Sequence, residues 1–248
     1  MIRLVLIGVT GRMGGALLRL LPEFPQMRLQ AAIARPGHTQ LGRDCGELAG
    51  LAPLGVPVQA ELAGALRGAG LAISYSAAVA AGPEALACAA AGVPLLMGTT
   101  GLGPEARAAL EQAARSIPLL VAANTSLGVT LLEELVRWAA AVLPGEFDIL
   151  IQDTHHRDKL DAPSGTALAL GAAAAEGRKA AGQIGYAALR GGDVVGDHEI
   201  QFLGQGERLR LGHSVTDRSV FARGALRAGS WLAEQPAGAY RMADALEK

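Results

Sequence analysis

The segment HHRDKLDAPSGT, residues 155–166, holds two histidines, an arginine and a lysine in its first five positions, then runs into Pro-Ser-Gly-Thr. His155 can give or take a proton near neutral pH. Lys159 stays cationic unless it is buried. Pro163 presets a turn and Ser164 is a capping residue type. Gly165 and Thr166 would then present backbone N–H groups at the start of the ALALGAAAA helix. Together these make an anion site with proton donors beside it. The site suits a small substrate that carries carboxylates and an electrophilic carbon able to accept hydride. The bland alternative is a solvated, charged loop. A metal is not expected: neighbouring histidines on a strand point to opposite faces, and neither HExxH nor a Cys/His pair at ligand spacing is present. Asp161 reads as a residue that orders the loop. His38, His198 and His213 lack partners nearby in sequence and read as structural.

A second pattern lies at the start. GVTGRMG places Gly8, Gly11 and Gly14 directly after the apolar run RLVLI and at the opening of a helix. Glycines there let backbone N–H groups approach a pyrophosphate, and the helix N-terminus adds partial positive charge. The motif alone is weak, but here it sits between a strand and a helix, which is the context it requires. The alternative is a plain tight turn. About twenty residues after Gly14, where a site selective for NAD carries an acid, the chain has Ala34 and then Arg35. With no carboxylate to repel a phosphate and a cation adjacent, NADPH should bind well, and NADH remains possible. GTTG (98–101) and AANTS (122–126) each follow an apolar run, which puts them at carboxyl ends of parallel strands.

Elements must hold these groups in place. RLVLI (3–7), RLQAAIA (28–34), LAISY (71–75), PLLM (94–97) and PLLVA (118–122) read as buried strands alternating with Ala/Leu-rich helices. That alternation predicts a Rossmann-like α/β domain with a parallel sheet. After Asn124 the pattern changes. A long helix (127–143), a strand (147–153) and a helix after Pro163 precede three β-like runs at 185–191, 198–204 and 207–213. Strands in succession predict an α+β domain with an open mixed sheet. Helices are expected near 217–233 and 238–247. The expected domains are 1–126, which carries the dinucleotide-binding pattern, and 127–236, with a last helical segment (237–248) after them.

Bulk properties narrow the class. With 22 Lys and Arg against 23 Asp and Glu, the chain lacks the cationic excess of a nucleic-acid binder. The longest uncharged stretch, 85–104, is broken by Gly92, Pro94 and Gly98, so no membrane span is expected. Two unrelated cysteines fit a reducing cytoplasm.

Taken together, GVTGRMG, GTTG, AANTSLGV, HHRDKLDAPSGTAL, RGGDVVGDHEIQF and GERLRLGH resemble the 4-hydroxy-tetrahydrodipicolinate reductase family, formerly called dihydrodipicolinate reductase, over nearly the whole chain and in order. The HHR-x-K-x-D-A-P-S-G-T block is the specific part. The resemblance implies an NAD(P)H-dependent oxidoreductase that reduces a cyclic imine dicarboxylate with loss of water, in diaminopimelate and lysine biosynthesis. It implies that His155 takes part in proton donation and that Lys159 protonates the substrate nitrogen as hydride arrives at carbon. His156, Gly165 and Thr166 would hold the substrate carboxylates. Gly8, Val9, Thr10, Gly11, Arg12 and Met13 would cradle the cofactor diphosphate, with Arg35 at the adenine ribose. Gly98, Thr99, Thr100, Ala122, Ala123, Asn124 and Thr125 would line the nicotinamide side. It also implies that the C-terminal helix (237–248) returns to the dinucleotide-binding domain, and that 127–236 is the substrate-binding and oligomerisation domain, joined through its sheet into a homotetramer.

Three positions depart from the family pattern. Ala34 replaces the common acid, and Ser74-Tyr75-Ser76 replaces the usual Asp-Phe-Thr. The region between the PSGT helix and Gly185 is also shorter than usual. Two rivals stand beside this reading: another NADPH-dependent reductase with the same plan, and a redox sensor that binds NADPH without turnover. The block of proton donors argues against the sensor.

Overall fold

The computed structural model describes residues 1–178 and 183–246. Residues 179–182 of the shortened region before Gly185, and the last two residues of the expected C-terminal helix, lie outside them. By spatial contact the chain divides into two units, Met1–Thr125 with Phe221–Lys248, and Ser126–Val220.

The strands of the first half are β1 (Ile2–Ile7), β2 (Met27–Ile33), β3 (Val58–Gln59), β4 (Leu71–Ser74), β5 (Leu95–Met97) and β6 (Pro118–Val121). Its helices are α1 (Arg12–Leu20), the short α2 (Cys45–Leu48) and α3 (Leu62–Ala65), α4 (Ala78–Ala91) and α5 (Pro104–Ala113). The second unit carries α6 (Leu127–Val142), β7 (Asp148–His155), α7 (Gly165–Gly177), β8 (Ile184–Arg190), β9 (Gly196–Leu203) and β10 (Arg208–Val215). Then α8 (Ser219–Leu232) and β11 (Gly238–Tyr240) end the regular structure, apart from a 3-10 turn at Met242–Leu246.

In the first unit the sheet order is β11-β6-β5-β4-β1-β2-β3 and every pairing is parallel. Leu4, Val5, Leu71, Ala72, Ile73, Leu95 and Leu96 are wholly buried. A parallel sheet covered on both faces needs such uniformly apolar strands. The order reverses between β1 and β4. There the loops diverge to opposite faces and open a crevice at the strands' carboxyl ends.

The second unit has the order β10-β9-β7-β8. β7 and β8 run parallel, joined by the crossover helix α7, while β9 is antiparallel to β7 and β10. Burial alternates along β7 and β9. Their inner face, Ile149, Ile151, Ile200 and Phe202, packs with Leu132 and Val136 of α6 and with Leu170 and Ala174 of α7.

The expected helix over 238–247 is not formed. Gly238 to Tyr240 instead pair with Pro118 to Leu120 at the sheet edge. Satisfying that edge outweighs the weak helix propensity of a segment opening Pro-Ala-Gly. The return to the first unit also begins at Phe221, before the expected 237. The small residues of α8 explain this: Ala222, Ala225 and Ala228 are buried, and a Cβ at Gly229 would stand 2.9 Å from the Leu71 side chain. The two-residue β3, α2 and α3 carry too little periodic pattern to be read from sequence.

Gly14 shows why α1 must begin as it does. A Cβ there would run into the Val9 backbone, whereas one at Gly15 would meet only the end of the Arg19 side chain, at 3.3 Å. Gly14→Ala is therefore expected to destabilise the chain by about 1–3 kcal/mol through backbone displacement. Gly15→Ala should be neutral or slightly stabilising, because alanine is the better helix former. Urea unfolding midpoints of the two variants check this.

Candidate active site

In the first unit the expected cofactor residues come together at the carboxyl ends of adjacent strands. Gly8 has φ +78°, a left-handed conformation that favours glycine, and a Cβ on it would stand 2.6 Å from the Tyr75 carbonyl. Gly11 is the N-cap of α1, and no side chain caps that helix. The first-turn amides of Arg12 and Met13 therefore open toward an anion. Val9 is buried, so only its backbone can serve the cradle. A cleft of about 410 Å³ is lined by Gly8, Thr10, Gly11, Ala34, Arg35 and His38, with Tyr75 and Ser76 on its other side. These features fit a dinucleotide. A larger groove of about 980 Å³ lies at the amino ends of β1 and β2, around Arg3 and Arg28. It is at the wrong end of a parallel sheet for such a ligand.

Tyr75, one of the residues departing from the family pattern, joins these loops. Its ring fills the space over Gly98, where any Cβ would collide with it. Thr125 donates its hydroxyl hydrogen to the Phe221 carbonyl at 2.6 Å, so the Tyr75 hydroxyl, 3.0 Å away, is the donor to Thr125 Oγ1. Burial pushes the Tyr75 phenol up to about 12, which keeps it protonated. Thr99 donates to the Ser76 carbonyl at 3.1 Å, and the Ala122 N–H bonds to the Met97 carbonyl at 2.9 Å. Thr99, Ala122 and Thr125 are thus buried in the loop scaffold. Gly98, Thr100, Ala123 and Asn124 share their two loops, where Thr100 and Ala123 are exposed. Below them, Glu84 accepts from Ser74 and Ser76 at 2.6 and 2.8 Å, and burial pushes its carboxyl above the usual range.

In the second unit, the end of β7 carries the other cluster. Asp153 and His155 share one face, two residues apart, and both are buried. Asp153 accepts from the Ser164 backbone N–H at 3.1 Å and lies 3.4 Å from the Arg190 guanidinium. Burial opposes its ionisation, but hydrogen bonds from Ser164 and Arg190 outweigh that and hold the carboxyl below the usual carboxylate range. His155 Nδ1 is 3.1 Å from Asp153 Oδ2, not aligned as a hydrogen bond, and the two form an ion pair only when the imidazole is protonated. Burial pulls the His155 pKa down, Lys159 and Arg190 lower it further, and Asp153 opposes them. Lys159 Nζ reaches Asp161 at 2.7 Å, so the expected loop-ordering role of Asp161 includes holding this ammonium.

Ser164 caps α7 by accepting from the Ala167 N–H at 3.1 Å. Gly165 and Thr166 open that helix; Gly165 is exposed, with nothing within 4 Å of where its Cβ would stand. His156 follows the end of β7 and is half-buried.

From sequence His198 reads as structural, and nothing local marks Asp153 or Arg190. The alternation of FDILIQD places Asp153 on the face of His155, which was legible. Arg190 and His198 face them only through strand register: His155 pairs with Arg190, and Asp153 with His198. The His198 ring stands edge-on to His155, centroids 5.2 Å apart, and its Nε2 is 3.1 Å from Ser164 Oγ. Ligand atoms of Asp153, His155 and His198 all lie within 4.8 Å of one another, a spacing a metal could use. The Asp153 carboxylate, however, is already committed to Ser164 and Arg190.

A family model described as dihydrodipicolinate reductase, N-terminus, matches residues 2–125, and one described as dihydrodipicolinate reductase, C-terminus, matches 128–246. The chain belongs to the dihydrodipicolinate reductase family. A 4-hydroxy-tetrahydrodipicolinate reductase of Anaeromyxobacter sp. (strain Fw109-5) is 47% identical over 264 aligned positions, covering 99% of this chain and 98% of that one. The protein of the same name from Rhizobium rhizogenes (strain K84) is 42% identical, covering 98% and 96%. Among solved structures, a dipicolinate-bound dihydrodipicolinate reductase from Paenisporosarcina sp. TG-14 superposes with a TM-score of 0.84 at 23% identity, over 97% of each chain. An amine dehydrogenase from Mycobacterium smegmatis shares the fold more distantly, with a TM-score of 0.66 at 17% identity over 98% and 95%. Among the described residues no helix is long and apolar enough to cross a membrane.

The buried histidines give the chain a pH signature. Burial, with His155 adding, pushes His198 down to about 4. Between that value and the ordinary 6.5 the unfolded chain binds more protons than the folded one, so stability is lost as pH falls through this window. The slope from His198 should total roughly 1–3 kcal/mol. His198→Gln should flatten the dependence of the unfolding free energy on pH between 6.5 and 4, relative to the parent chain measured in parallel.

Proposed function

We propose that this chain reduces 4-hydroxy-tetrahydrodipicolinate to tetrahydrodipicolinate, with loss of water, in diaminopimelate and lysine synthesis, and that NADPH is its preferred reductant. The observation that carries this reading is in the second unit: a helix N-terminus with an exposed glycine follows a loop that holds Lys159 and a strand end that holds buried His155. A solved relative of this fold carries dipicolinate, a dicarboxylate, and the proposal gives this chain a ligand of the same class.

The α7 N-terminus, with the Gly165 and Thr166 amides, holds one carboxylate through hydrogen bonds to charged oxygens. His156 takes part in holding the dianion. Lys159, released from Asp161, gives the ring nitrogen its proton. Burial, with Lys159 and Arg190 adding, holds the His155 pKa below its ordinary value, and a bound dianion offsets those charges and raises its proton affinity. It then supports proton donation next to Lys159. Asp153 fixes Ser164 and Arg190 around both groups. In the first unit, the α1 amides at Arg12 and Met13, with the turn from Gly8 through Thr10 to Gly11, hold the cofactor diphosphate. Arg35 meets the adenosine 2′-phosphate, and Ala34 leaves nothing to repel it. The loops at Gly98–Thr100 and Ala122–Thr125 line the nicotinamide side. When bound, the cofactor supplies the hydride, while the chain supplies orientation, water exclusion and the proton.

We further propose a cytoplasmic homotetramer joined through the open face of the second-unit sheet. Leu150, Thr154, Glu199 and Leu203 there are only partly covered in the single chain.

An NADPH-oxidation assay with freshly made hydroxy-tetrahydrodipicolinate is the direct test, and absence of substrate-dependent turnover would reject the reading. Lys159→Ala should lower kcat by about 10²–10⁴-fold, the usual range for a lost proton donor, and leave NADPH affinity within about twofold; equal losses in both would make the lysine a scaffold residue. Arg35→Ala should raise KM for NADPH about tenfold, the size of one lost contact to a charged group, while KM for NADH stays nearly unchanged.

A further inference from the structure

We infer that His38 is a specificity-determining residue, a second grip on the adenosine 2′-phosphate that works as a pair with Arg35. This rests on the NADPH reading above and adds a residue to it. The sequence Arg35-Pro36-Gly37-His38 forms a turn directly after the buried end of β2. Proline fixes φ at its second position, and Gly37 at its third has φ +73°, the pattern of a type II turn. The His38 N–H closes it on the Arg35 carbonyl at 3.2 Å. The turn therefore sets the two residues side by side, and both line the cleft that also contains Gly8, Thr10 and Gly11.

The imidazole is prepared as a donor. The Gln40 backbone N–H donates to His38 Nδ1 at 3.2 Å. Accepting that bond puts the ring hydrogen on Nε2, at the far edge of the ring. A guanidinium and a fixed N–H donor from one turn suit a phosphate monoester, which offers several acceptor oxygens, better than a ribose hydroxyl. The acids near the cleft do not compete. Ala34 stands where an acid would bind the ribose hydroxyls, and Glu84 accepts from Ser74 and Ser76. His38 is half-buried, so replacing it removes no core packing.

The test is calorimetric binding to the full-length protein, with adenosine 2′,5′-bisphosphate and adenosine 5′-monophosphate as probes. The parent chain should bind the bisphosphate more tightly. His38→Ala should weaken bisphosphate binding about tenfold, the scale of one hydrogen bond to a charged group, and leave monophosphate binding within about twofold. His38→Gln, which keeps an N–H donor, should recover most of the loss. If Arg35→Ala weakens bisphosphate binding and His38→Ala does not, the role of His38 is overturned and the NADPH reading stands. Equal weakening of both probes by His38→Ala would reduce the residue to a turn scaffold and also overturn the inference. If the parent chain does not distinguish the probes, the NADPH reading falls and this inference with it.

Discussion

A buried carboxylate organises the second unit. Asp153 is 1% exposed, and a charge at such depth persists only if donors surround it. The donors are the Ser164 backbone and the Arg190 guanidinium, with the His155 imidazole alongside. Each comes from a different element. One charge thus ties the start of α7, the end of β8 and the end of β7 to a common point. Lys159 and Gly165 lie on the chain between those anchors. The same carboxylate partly offsets the positive field of Arg190 and Lys159 on His155.

The first unit solves a different problem, which is how to bring backbone close to a large anion. It does so with absences. Gly8 and Gly14 have no Cβ where one would strike Tyr75 or Val9, and Gly11 leaves α1 without a side-chain cap. Five strand ends meet there, so their loops need cross-ties. Tyr75 supplies these through its ring over Gly98 and its hydroxyl on Thr125. The Ser-Tyr-Ser sequence that departs from the family pattern is therefore an internally consistent set: the two serines satisfy buried Glu84, and the tyrosine braces the loops.

The two units divide the chemistry between charge types. In the first, backbone N–H groups and Arg35 lie at the strand ends, where a parallel sheet takes a nucleotide. In the second, a helix N-terminus, an ammonium and imidazoles stand together beyond the end of β7. Both use an open helix N-terminus, but only α7 is capped, by Ser164. The capping hydroxyl is also the contact of His198, so the helix start is fixed to the sheet. The glycine start of α1 instead has no side-chain cap.

Much of this was legible in order along the chain. RLVLI followed by three glycines, and the PSGT turn before an alanine-rich helix, are local patterns. Period, caps and glycines act within a few residues, so the sequence determined both helix starts and the buried strands. It also determined the pairing of Asp153 and His155 on one face, since a strand alternates strictly. Tertiary structure decided what depends on register and distant packing. Arg190 and His198 reach the site because β8 and β9 pair with β7 in one particular alignment. The segment after Pro236 became an edge strand because β6 offered unpaired backbone. Tyr75 found Thr125, and Thr125 found Phe221, across long loops. Such contacts join residues whose separation in sequence carries no periodic trace, so only the folded chain reveals them.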